Sequence, residues 1–326
     1  MRKNSFRLPL SVMLFALCTH VDAQQPTKIP RLGYLTGATP DGQSARIQAF
    51  RQGLREHGWI EGQNIVVERR YWENRAERLP ALVDEFVRLK ADIIVTSAGS
   101  AAQAAKKATN TIPIVMLTSG DAVTQGLVAS LARTGGNVTG LTNISPDTNG
   151  KRLELLKEVI PKVSRVAVLG CSRGSPLSTV QWDETQAAAL ILGMQLEPAE
   201  VHGPQDIERA LSAATRKRSA ALFVLDCSRI PSSKTVELAA KLQLPAIYPS
   251  ARYLEAGGLM IYGPNAVDMA RRAATYVDEI LRGVKPVDLP VERPTKFEFI
   301  VNLKTAKQIG LTIPPNVLAR ANRIIR

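Results

Sequence analysis

Histidine and cysteine are scarce in this chain, with three of each among 326 residues. His57 ends a helical pattern and His202 follows a strand-like run, so neither completes a metal-ligand spacing or a nucleophile–base set. Gly-x-Ser-x-Gly elbows and Walker loops are absent. Gly135-Gly136-Asn137-Val138-Thr139-Gly140 has the composition of a phosphate loop but precedes a strand instead of following one. No metal, no cofactor, no catalytic residue and no enzymatic activity are therefore expected. Aromatic residues make up only 5% and do not interleave with a basic stripe, so the net charge of +13 does not read as a nucleic-acid surface. Past the N-terminus, no apolar run approaches the ~20 residues needed to span a bilayer.

What is present starts at the first residue. Residues 1–23 carry Arg2, Lys3 and Arg7, then an apolar run over 8–18, then Val21-Asp22-Ala23. This is the layout of a cleavable secretory signal, against the alternative of an apolar helix packed on the domain. Leu17 precedes Cys18 where a lipoprotein signal needs a small residue, so no lipid anchor is expected. The mature chain is expected to begin at Gln24 and to work in the periplasm. There Cys171 and Cys227 remain, an even number in an oxidising compartment.

The mature chain is long enough for two domains of ~100–200 residues each. Strand and helix patterns alternate from residue 31. Strand-like apolar runs fall at 31–36, 65–71, 92–96, 112–117 and 138–141, separated by helical spacings at 44–57, 78–90, 97–108 and 123–132. A second series follows, with strands at 165–169, 195–200, 220–225, 246–248 and 259–262. Its helices lie at 149–159, 179–192, 204–215 and 234–242. A long helix at 265–282, a strand at 297–301 and a short helix at 303–310 close the chain. Continuous apolar strands between helices indicate parallel sheets covered on both faces. The expected fold is α/β, with two doubly wound parallel-sheet lobes.

Ligands of open parallel sheets bind beyond the carboxyl ends of the strands, and that rule nominates site residues. In the first lobe these are Tyr34, Thr36, Ser97, Ala98, Gly99, Ser100, Ser119 and Asp121. In the second they are Ser172, Arg173, Asp226, Tyr248 and Tyr262. Ser97–Ser100 opens a helix whose free N–H groups and positive end suit a carboxylate, or else form an ordinary cap. Asp121 either accepts an ammonium group or caps the next helix. Arg173 either pairs with a carboxylate or is solvated. The tyrosines are placed to clamp an apolar ligand, each alone being equally suited to core or rim. Cys171 and Cys227 follow the first and third strands of the second series. Those strands are neighbours in a doubly wound order, so the two cysteines either bridge or lie reduced side by side.

Several long blocks occur in one order: residues 49–64, with Glu56-His57-Gly58-Trp59-Ile60-Glu61-Gly62 inside it; Glu77-Arg-Leu-Pro-Ala-Leu82; 108–115; 126–140; Lys151-Arg-Leu-Glu-Leu-Leu156; Gly257-Gly-Leu-Met-Ile-Tyr-Gly263; and Asn302-Leu-Lys-Thr-Ala306. In these the chain resembles the ABC-transporter substrate-binding proteins, the family with tryptophan- and tyrosine-binding members. It departs from them in having Ala98-Gly99-Ser100 where members often carry Gly-Thr-Pro, and Ala122 where they carry proline. The resemblance implies a periplasmic-binding-protein fold of type I with three crossovers. It places residues 24–142 and about 265–285 in lobe 1, and 143–264 and about 286–326 in lobe 2. It also implies a small-molecule ligand, an amino acid or other carboxylate, held between the lobes. A monomer would deliver it to an ABC permease in the inner membrane. The alternative is a sensing module that presents its bound state to a membrane receptor.

Overall fold

The structure is a computed structural model that describes residues 28–37, 45–73, 75–143, 148–171, 176–227 and 230–326. The expected signal at 1–23 lies outside these residues, as do Ser172 and Arg173.

Lobe 1 is built from β1 (Arg31–Thr36), α1 (Ala45–Glu56), β2 (Val66–Tyr71), α2 (Leu79–Arg88), β3 (Ile93–Thr96), α3 (Gly99–Ala108), β4 (Ile114–Met116) and β5 (Val138–Leu141). The chain then crosses to lobe 2. There it forms α4 (Thr148–Val159), β6 (Arg165–Cys171), α5 (Pro176–Ile191), β7 (Gln195–Val201), α6 (Ile207–Arg216), β8 (Ala221–Val224), α7 (Ser232–Lys241), β9 (Ala246–Tyr248), α8 (Arg252–Glu255) and β10 (Met260–Pro264). It returns to lobe 1 for α9 (Ala266–Leu281) and β11 (Val291–Glu292), and ends in lobe 2 with β12 (Phe297–Asn302), α10 (Leu303–Gln308), α11 (Pro315–Leu318) and β13 (Arg323–Ile325).

The first sheet runs β11-β5-β4-β3-β1-β2 and is parallel throughout. The second runs β13-β12-β10-β9-β8-β6-β7, with one antiparallel pairing, β10 against β12. Short runs such as Ile93-Ile94-Val95-Thr96 and Ala221-Leu222-Phe223-Val224 are buried at every position. That is why the strands carry no polar alternation: helices cover both faces. Each sheet accordingly separates two apolar clusters.

Helix α9 is pinned to α1, which keeps the returning chain on lobe 1. Trp59 Nε1 donates to Asp278 Oδ1 at 2.9 Å, and Arg282 Nε donates to the same oxygen at 2.8 Å. His57 Nδ1 lies 3.4 Å from Asp278 Oδ2. The motif at 56–62 therefore meets α9 at the buried Asp278 carboxylate, and Glu56 adds a pair with Arg271 at 2.7 Å.

The three crossovers lie side by side. Thr142 N donates to the Glu292 carbonyl at 2.9 Å, and Asn265 N donates to the Lys296 carbonyl at 2.9 Å. The last return comes later than residue 286. Val291 and Glu292 pair in parallel with Gly140 and Leu141, so the final crossing falls between Glu292 and Phe297. A two-residue strand carries no readable periodicity, and neither do β13 or the one-turn helices α8 and α11.

The helix expected at 123–132 is absent. Asp121 starts a single turn, and Gly126 at φ +66° stops it in the left-handed region. Leu127 and Val128 are buried as loop residues instead of as a helical face.

Candidate functional site at the facing strand ends

Among the described residues, the carboxyl ends of the two sheets meet at one hydrogen bond between side chains. Asn143, two residues past β5, donates from Nδ2 to Asp226 Oδ2, two residues past β8, at 3.0 Å. The first partner lies on the crossover leaving lobe 1 and the second on lobe 2.

Asp226 sits on a rigid base. Gln181, buried on α5, accepts from the Asp226 N–H at 2.9 Å and donates to the Asp226 carbonyl at 3.1 Å. This pair of bonds satisfies both main-chain polar groups of Asp226 just past the end of β8. Arg252 Nη2 approaches Asp226 Oδ1 at 3.4 Å and donates to the Cys227 carbonyl at 3.1 Å and to Tyr253 Oη at 3.2 Å. Its guanidinium also lies 4.9 Å above the Tyr253 ring.

Below this floor lies Arg152 of α4, only 3% exposed. It donates from Nη1 to the Val224 carbonyl at 2.7 Å and from Nη2 to Asn149 Oδ1, and it stacks 4.6 Å from the Phe223 ring. Asn149 passes the contact on to Glu184 Oε2 at 3.1 Å. Burial lowers the Arg152 pKa to about 10, with Asp226, Tyr253 and Glu184 opposing that shift. Lobe 2 thus presents a half-exposed carboxylate over a cationic base.

Lobe 1 contributes the start of α3. Its cap position is Ala98, in extended conformation, with no side chain accepting from the first turn. An alanine cannot do so, which leaves the leading N–H groups and the positive end of a ten-residue helix available to an anion. Thr96 lies just before it on the same sheet face as Ile94, the face that α3 covers; its Oγ1 is buried with no partner among the described residues. A Cβ at Gly99 would collide with the Gln125 carboxamide, so glycine is what lets that side chain lie against the helix start.

Other nominated residues fall elsewhere. Tyr34 packs on Phe50 with ring centres 5.2 Å apart, and Tyr248 stacks on Tyr253 at 4.8 Å; both are at most 2% exposed. Strand side chains project into the layer between sheet and helix, so a tyrosine within the ladder reaches core and not the strand end. Thr36 is buried as well. Ser119 turns inward, donating to the Gly120 carbonyl at 3.0 Å. Asp121 Oδ1 accepts from the N–H groups of Val123 at 3.0 Å and Thr124 at 3.2 Å, which is the capping alternative. Tyr262 is half-buried beside the crossovers, stacked on Phe297 at 5.9 Å. Ser97, Ala98, Gly99 and Ser100 keep partial exposure at the strand end. Cys171 and Cys227 are joined, their Cα atoms 5.8 Å apart on neighbouring strand ends.

Asn143, Gln181, Arg152 and Arg252 are candidate-site residues that no sequence signal nominates. Asn143 obeys the strand-end rule that nominates the others, but it falls at the expected boundary between lobes. The remaining three sit on helices, where only a polar residue at a core-facing position would have marked them.

A profile of the family described as "ABC transporter substrate binding protein" matches residues 38–325. A tyrosine-binding protein of Clostridioides difficile (strain R20291) is 28% identical over 267 residues, 81% of this chain and 76% of its own length. Among solved structures, a conserved domain protein of Vibrio cholerae is 27% identical with a TM-score of 0.80, covering 91% of this chain and all of its own. An ABC domain from Streptococcus pneumoniae in complex with L-Trp is 26% identical with the same TM-score of 0.80, covering 91% of this chain and 99% of its own.

Proposed function

Because the chain belongs to the ABC transporter substrate-binding protein family, we propose that it is an exported solute-binding protein that captures a small amino acid-like molecule and delivers it to an ABC permease. The observation that carries this reading is that strand ends of the two sheets carry opposite chemistries. Lobe 1 offers an uncapped helix start for a carboxylate, and lobe 2 offers the Asp226 carboxylate for a cation. A zwitterion of amino-acid type satisfies both at once. The names of two relatives, one tyrosine-binding and one holding L-Trp, support an aromatic amino acid. Export is supported by the basic, apolar and small-residue sequence of residues 1–23.

In this reading the lobes close about the three hydrogen-bonded crossovers. Closure removes water from both charged ends of the ligand, so that fixed dipoles and charges replace its hydration. Gln181 and Arg252 spare the site a reorganisation cost by holding Asp226 in place beforehand.

A thermal-shift screen of the chain from Gln24, refolded to strip ligand, tests this. Ligand at a hundred times its dissociation constant adds ~2.7 kcal/mol. L-tyrosine and L-tryptophan should raise the melting temperature by several degrees, and sugars should leave it unchanged. A shift with sugars and none with any amino acid would overturn the reading.

A further inference from the structure

Among the described residues the Asn143 side chain makes one hydrogen bond where it has the means for more. Its Nδ2 donates to Asp226, yet its Oδ1 is buried with no partner among the described residues. The orientation of the amide is fixed by chemistry: a carboxylate only accepts, so the NH2 must face Asp226 and the oxygen must face away. A buried acceptor in that state needs a donor, and native proteins rarely leave one without. Gln181 and Arg252 do not supply it. Both are committed to the main chain and carboxylate of Asp226, to Cys227 and to Tyr253.

Resting on the proposed capture of an amino acid, we infer that Asn143 Oδ1 and the Asp226 carboxylate together form a clamp for a primary ammonium group. The acceptor arithmetic fits. A carboxylate offers about four acceptor positions. Two on Asp226 are taken, by Asn143 Nδ2 and more loosely by Arg252 Nη2. The two that remain among the described residues, with Asn143 Oδ1, match the three N–H donors of a primary ammonium. Each methyl on the ligand nitrogen would strand one acceptor, and removal of the nitrogen would strand all of them. Asn143 is thereby a specificity-determining residue that favours primary amines over N-methylated and desamino analogues. Because it lies on the crossover leaving lobe 1, the same contact ties ligand recognition to the hinge.

Calorimetric titration of the mature chain with L-tyrosine and with 3-(4-hydroxyphenyl)propionate, its desamino analogue, provides the test. N,N-dimethyl-L-tyrosine is the third probe, and each is titrated into wild type and Asn143→Leu. Wild type should prefer L-tyrosine over the desamino acid by roughly a hundredfold or more, as a site with committed polar groups does. Asn143→Leu should lose about tenfold or more for L-tyrosine while holding the desamino acid within about threefold. Equal losses for both ligands would make Asn143 a hinge contact and overturn the clamp. A wild type that binds both acids equally would also overturn it, while leaving carboxylate capture at α3 intact. Failure of wild type to bind any of the three would remove tyrosine as the ligand and overturn the clamp as drawn for it, whereas the amino-acid reading falls only if no amino acid shifts the melting temperature. The wild-type arms decide the matter even if the leucine variant does not fold, and Asn143→Ser supplies a milder substitution.

Discussion

Gln181 holds the main chain of Asp226 from both sides, accepting from its N–H at 2.9 Å and donating to its carbonyl at 3.1 Å. The bond pair satisfies both main-chain polar groups of Asp226 just past the end of β8. A helix side chain thus sets the position of the carboxylate that faces lobe 1.

Replacing Gln181 with leucine keeps the volume and removes both bonds. Two buried main-chain groups would be left without partners, at about 1–3 kcal/mol each. Denaturant unfolding should show a loss of that order, and titration should show weaker ligand binding beyond it. Unchanged affinity in the folded fraction would mean that Asp226 does not need this frame.

Gly99→Ala places a methyl group where the Gln125 carboxamide now lies. Gln125 is only half-buried and has room to swing aside, so the melting temperature should fall little. Affinity for a carboxylate-bearing ligand should fall by roughly tenfold, as a 1.4 kcal/mol loss at the helix start would give. A variant with wild-type affinity would dissociate the start of α3 from ligand binding.

The Cys171–Cys227 bond closes a loop with a sequence separation of 56 residues. In the chain-entropy account such a loop contributes about 4 kcal/mol by restricting the unfolded chain. Thiol titration of protein purified without reductant should find neither cysteine free, and the double Cys→Ser variant should unfold at lower denaturant. Two reactive thiols in the denatured, unreduced chain would sink the prediction.

Alkaline stability has a defined sign. Burial pushes the Tyr34 phenol up to about 12, with Arg46 and Arg69 pulling partly against it. An unfolded tyrosine ionises near ~10. Between these values the unfolded chain has released a proton that the folded chain still holds, so stability falls as pH rises. The contribution is intact below about pH 10 and amounts to about 2.7 kcal/mol lost by about pH 12. Burial raises Tyr248 in the same direction. Arg152, lowered to about 10 by burial, works in the opposite sense, because there the unfolded chain holds the extra proton. The difference between wild type and Tyr34→Phe therefore isolates the phenol. Unfolding at pH 8 and pH 11.5 should show the phenylalanine variant losing less, and identical losses would place the Tyr34 hydroxyl in water.

The repeating α/β order and the parallel sheets were legible in the chain because buried parallel strands are written as unbroken apolar runs. Arg31–Thr36, Val138–Leu141 and Ala246–Tyr248 were read to the residue. The nomination of Ser97–Ser100 followed from the same local pattern, since a strand-to-helix turn is contained in a handful of adjacent residues. The pairing of Val291–Glu292 with β5 was not legible, because two residues have no period and their partner lies about 150 positions away. The polar floor under Asp226 was equally hidden. Gln181, Arg152 and Arg252 look like ordinary helix residues until packing removes them from water. Once water is excluded, each donor and acceptor must find a partner wherever the fold places one, and sequence distance plays no part in that choice. The same exclusion turned Tyr34 and Tyr248 into core, since a side chain within the ladder points at a covering helix whatever its chemistry. Local periodicity was enough for the long strands and helices; the two-residue strand, the one-turn helices and the polar groups that face each other across the lobes were settled by long-range burial.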